Sequence, residues 1–88
     1  MNIYKIEDNR QGGPAWDVYI GAIVVAESPD DAKKIHPNGY GVDFAEWDGT
    51  GRRNYEWVDK YSEIDVTEIG VANIDQPRGV IMDSYCAG

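Results

Sequence analysis

A chain of 88 residues is long enough for one hydrophobic core and too short for two, so a single small globular domain spanning 1–88 is expected. Sixteen Asp and Glu against eight Lys and Arg give a net charge of −8, which repels nucleic-acid backbones and anionic membrane surfaces. The 42% hydrophobic content is globular rather than disordered, and the lone cysteine, Cys86, cannot close an internal disulfide.

Residues Asn2 to Ile6 mix β-branched and aromatic side chains and predict a first strand. Gly12, Gly13 and Pro14 mark a turn. The stretch from Trp16 to Ala26 predicts the strongest strand, with Val18, Ile20, Ala22, Val24 and Ala26 on its core face. These two strands should form a hairpin.

A helix start follows. Ser28 is a natural cap, Pro29 suits the first helical position, and Asp30 and Asp31 meet the positive end of the helix dipole. Lys33 and Lys34 lie near the other end, and Pro37 stops the helix within about two turns. Ala32 and Ile35 are its expected buried residues, and His36 is placed to interact with the last helical carbonyls.

Regular periodicity disappears between Asn38 and Lys60, which predicts a long aromatic-rich loop with one short strand near Glu56 to Asp59. Strands return at Ile64 to Asn73 and Val80 to Cys86, separated by a turn from Asp75 to Gly79. The predicted fold is therefore α+β: a four-stranded, mainly antiparallel sheet with one short helix packed on one face, in the order β-β-α-loop-β-β.

No segment carries a recognisable catalytic constellation. His36 has no second His or Cys with zinc spacing, and no EF-hand loop or P-loop occurs, so neither a cofactor nor a metal is expected. Gly49, Gly51, Arg52 and Arg53 could hold a phosphate or a nucleotide signal, which makes a small-ligand binder the alternative reading. The same residues also read as an ordinary turn whose arginines neutralise nearby acids.

Aromatic residues concentrate where acids do. Tyr40, Phe44, Trp47, Tyr55, Trp57 and Tyr61 fall in the segment from Tyr40 to Glu68, which holds eight acids against three basic residues. Two or three of these rings are needed to fill so small a core; the others are expected at the surface. Exposed rings flanked by carboxylates suit docking onto a basic protein surface. The expected partner-binding set is Tyr40, Asp43, Glu46, Trp47, Asp48, Tyr55, Glu56, Trp57 and Asp59.

The run Val24-Val25-Ala26-Glu27-Ser28-Pro29-Asp30-Asp31-Ala32, continuing to Ile35-His36-Pro37, resembles a family of small uncharacterised proteins encoded by phages and prophages. Tyr4, Trp47-Asp48-Gly49, Glu56-Trp57-Val58 and Tyr85-Cys86-Ala87-Gly88 carry the rest of the likeness. The resemblance implies no catalytic residues. It implies a context, because phage accessory proteins of this size often bind and disable a host system such as restriction or CRISPR machinery. The expected function is non-enzymatic inhibition of a host defence protein in the bacterial cytoplasm, by a monomer or a homodimer, with no direct nucleic-acid or membrane contact.

Overall fold

Alternating apolar side chains build a four-stranded sheet, and the computed structural model describes it over residues 1–10, 18–37, 57–58 and 60–86. Strands β1 (Asn2–Asp8) and β2 (Val18–Ala26) pair antiparallel at its centre. Strand β3 (Ile64–Val71) pairs antiparallel with β1, and β4 (Gly79–Cys86) does so with β2. The spatial order is β3-β1-β2-β4. Among the described residues one α-helix, α1 (Pro29–Lys33), follows β2, and a 3-10 turn (Tyr61–Glu63) leads into β3. The α+β architecture expected from the sequence is the one observed.

The start of α1 forms as its residues dictate. The Ser28 hydroxyl accepts a hydrogen bond from the Asp31 amide at 3.0 Å, with Ser28 itself extended and Pro29 opening the helix. So short a helix gains little from its own hydrogen bonds and depends on burying Ala32 and the following Ile35. Both join Tyr4 and Ile6 of β1, Ala22, Val24 and Ala26 of β2, and Ile64 of β3 in one core. His36 is buried just beyond the helix, its ring edge-to-face with Tyr19 at 6.1 Å between centroids.

Where strict alternation fails, the ladder has slipped. Ile20 was expected in the core, yet it is 41% exposed. The β2–β4 register shifts between Tyr19 and Gly21, so β2 carries an extra residue there and the phase of its side chains reverses. Tyr19 packs against the core instead. A second shift, opposite Ile3 and Tyr4, leaves Ile69 as the extra residue of β3. A third, between Ile23 and Val24, does the same for Ile81 of β4. Ile69 and Ile81 are both exposed.

The connection from β3 to β4 passes from one edge of the sheet to the other in residues 72–78. The Ala72 amide donates to the Met1 carbonyl at 3.1 Å, and the Gln76 amide to the Asn73 carbonyl at 2.9 Å. Gly79, at φ +145°, then turns the chain into β4 with a backbone conformation that side chains disfavour. Arg78 clamps this crossover to α1: its Nε and Nη2 both donate to the Asp31 carboxylate, the latter at 2.9 Å.

The Arg78 hydrogen bonds hold the Asp31 carboxyl below its ordinary value of 3.8; partial burial opposes them, and the Glu27 amide adds to them. A carboxyl with a lowered folded-state pKa stabilises the fold above its unfolded value and loses that contribution as pH falls through the folded one. Asp31→Asn should therefore cost about 1 kcal/mol at pH 7, allowing for solvent screening of a half-exposed Arg78. The difference from the unaltered protein should shrink as pH drops below 3.8. Urea unfolding at a series of pH values checks this.

Candidate functional site

The sequence placed partner binding on aromatic and acidic residues of the middle segment. Of that set, Tyr40, Asp43, Glu46, Trp47, Asp48, Tyr55, Glu56 and Asp59 lie outside the described residues, as do Gly49, Gly51, Arg52 and Arg53 of the alternative ligand site. Trp57 is described, and its expected role is corrected. Its side chain is 0% exposed and packs in the core with Val58 and the α1 residues, so it cannot anchor a partner. A small sheet covered by a five-residue helix needs a large ring to fill the layer between them. The expected strand near Trp57 is not formed by Trp57 and Val58.

What the fold does present is the opposite face of the sheet. The pairing lines up Thr67, Lys5, Ile23 and Met82 in one row across β3, β1, β2 and β4. Asp65, Glu7, Gly21 and Ser84 form the next row. Because Ala22 and Val24 point to the core, these rows lie on the side away from α1. Over β1, β2 and β4 they enclose a groove of about 240 Å³.

Ile20, Ile23 and Met82 line the groove, with Lys5 and Glu7 on the β1 side and Asp83 and Ser84 on the β4 side. Met82 is 66% exposed. The Lys5 ammonium lies 3.6 Å from the Glu7 carboxylate, which partly neutralises the only cation that the described residues bring to the lining. The face therefore runs from acidic at Asp65 and Glu7 to apolar at Ile23 and Met82.

Gly21 sets the depth of this groove. A β-carbon there would lie 2.6 Å from the Ile6 carbonyl oxygen, closer than packed atoms tolerate, so the β1 backbone approaches β2 only because position 21 has no side chain. The slip at Tyr19/Gly21 brings Ile20 to the groove as well. Sequence reasoning missed all of these residues. An isolated glycine inside an otherwise apolar strand was the one available signal of close backbone approach.

Chemically, the groove suits recognition of a side chain. Its volume is below the roughly 300–1,000 Å³ of small-molecule pockets, and its lining has no arginine to hold a phosphate. Among the described residues no three His, Cys, Asp or Glu side chains converge as a metal site. No helix among them is long and apolar enough to cross a membrane. Comparison with known proteins adds no relative to these features: no family model, no curated protein and no solved structure matches the chain.

Proposed function

We propose that this protein is a non-enzymatic acidic binding domain that docks onto a basic surface of a host protein and blocks it. The observation that supports this reading is an apolar groove with the carboxylates of Glu7 and Asp83 in its lining, on a chain of net charge −8. Apolar walls supply the contact that excludes water, while the acids steer a cationic partner and fix its orientation. The resemblance to phage accessory proteins points to the class of partner: a nucleic-acid-binding component of a defence system, a CRISPR effector or a restriction enzyme. Carboxylates would there occupy positions otherwise taken by phosphates.

The test pairs binding with inhibition. Tagged protein is used to capture partners from a host lysate at low and raised salt, and a captured nuclease is then assayed for DNA cleavage with and without the protein. Ile20→Asp combined with Met82→Asp should weaken capture about 30-fold or more, as expected for loss of a central apolar contact, with the circular dichroism spectrum unchanged. Capture that survives both substitutions would remove the groove from the interface. A nucleotide that raises the melting temperature at micromolar concentration would favour the small-ligand reading instead.

A further inference from the structure

We infer that the groove recognises a single arginine side chain of the partner, and that Lys5 is the resident cation this arginine displaces from Glu7. The inference rests on the docking proposed above and names the group that is read. Walls and charges of the groove divide by row. Ile23 and Met82, directly opposed on β2 and β4, offer an apolar shelf. Two residues further on, about 7 Å along the strands, the row is Glu7, Gly21 and Ser84. There the floor has no side chain, and a hydrogen-bond acceptor stands on each side of it. Glu7 Cγ lies 3.6 Å from the place of a β-carbon on Gly21, so the Glu7 side chain leans over the bare position.

A long apolar stem ending in a flat cation matches this division. Arginine packs its methylenes on apolar surface and keeps its head polar. Its planar fork donates in more than one direction, here to the Glu7 carboxylate and across Gly21 to the Ser84 hydroxyl. Strands about 4.8 Å apart set Glu7 and Ser84 about 10 Å apart at the backbone, which leaves room for a guanidinium between their side chains. An ammonium is a compact point charge without that fork.

The chain already keeps a cation at this place. At 3.6 Å the Lys5 ammonium forms an ion pair with Glu7 that is too long for a hydrogen bond, so the carboxylate retains its capacity to accept. An exposed pair of this kind is weak and exchangeable. Asp83 adds a second negative charge to the lining, so two carboxylates stand against one ammonium and the groove favours an incoming cation.

Titration of the labelled full chain with the peptide acetyl-Gly-Arg-Gly-amide at low salt, followed by amide chemical shifts, tests the inference. Peptides with lysine or citrulline in place of arginine are run in parallel. Arginine should bind about tenfold tighter than citrulline, its neutral isostere, and about threefold tighter than lysine. The shifts should be largest at Gly21, Ile23, Met82 and Ser84. Glu7→Gln should weaken arginine binding about tenfold and Ser84→Ala about threefold, whereas Asp75→Asn, which removes the same charge from the crossover, should leave it unchanged. Lys5→Met keeps an apolar stem and removes the competing charge, so it should tighten binding about threefold.

No localised shift with the arginine peptide, citrulline or lysine bound as tightly as arginine, or weaker binding in Lys5→Met would each overturn the inference. The peptide comparison on the unaltered protein needs no substitution and holds even where a variant fails to fold. Partner capture lost in Ile20→Asp with Met82→Asp, without any preference for arginine, overturns this inference and leaves the proposed docking standing. An arginine preference with capture intact in that double variant keeps the arginine site and removes the groove from the proposed interface.

Discussion

Trp57→Ala should unfold this protein at or near room temperature. Truncating a fully buried tryptophan costs about 3–5 kcal/mol, counting both lost transfer energy and the cavity left behind. A domain of 88 residues has a total stability of roughly 5 kcal/mol, so little or none would remain. The cavity would open in the core that Trp57 shares with Ala32 of α1 and with Ile35 just beyond it. The indole N–H has no hydrogen-bond partner among the described residues, and an unpaired buried donor is itself a cost of about 1–3 kcal/mol. Trp57→Phe, which keeps a ring and removes that donor, should therefore cost less than half as much as Trp57→Ala. Chemical unfolding followed by far-ultraviolet circular dichroism gives both values. An alanine variant of unaltered stability would mean that the ring does not fill the core.

Gly21→Ala is the second substitution with a large expected effect, for the opposite physical reason. Here the added methyl meets backbone rather than leaving a void, at 2.6 Å from the Ile6 carbonyl oxygen. Backbone cannot swing aside as a long side chain would, so β1 and β2 must separate locally. Overpacking of this kind costs about 1–3 kcal/mol. Because Gly21 pairs with both Glu7 and Ser84, the disturbance reaches β1 and β4 together and fills the groove floor. Hydrogen exchange should show faster exchange at Ile6, Glu7 and Ala22, with amides near Val71 little changed. Gly70→Ala is the matched control, since a β-carbon there meets only Ile3 Cδ1, at an ordinary 3.9 Å.

The sheet and its helix were legible because local rules agree there. Alternation marks β1 and β2, and Ser28-Pro29-Asp30-Asp31 specifies a capped start that the structure reproduces. The exposure of Ile20, Ile69 and Ile81 was not legible, because a bulge is a property of two paired strands and neither strand's sequence declares it alone. Trp57 was misplaced for a related reason. In a segment without periodicity, a tryptophan next to acids looks the same whether it faces solvent or core, and only the shortness of α1 decides that a ring must go inward. The groove lay further still from view. Its lining joins Lys5 and Glu7 to Met82 and Asp83, residues more than seventy positions apart that meet only after β1 and β4 have each found β2.

The strand order β3-β1-β2-β4 also sets the sequence of events by which the chain acquires its shape. Its two middle strands are the first two to leave the ribosome, so the sheet can grow outward from a local hairpin. β4 emerges last, and until it docks the apolar edge of β2 has no neighbour on that side. The newborn chain is therefore most vulnerable to sticking in the interval between completion of β3 and arrival of β4. The crossover at 72–78 that delivers β4 is tied by Arg78 to α1, so closing that interval and fastening the crossover belong to the same stretch of chain.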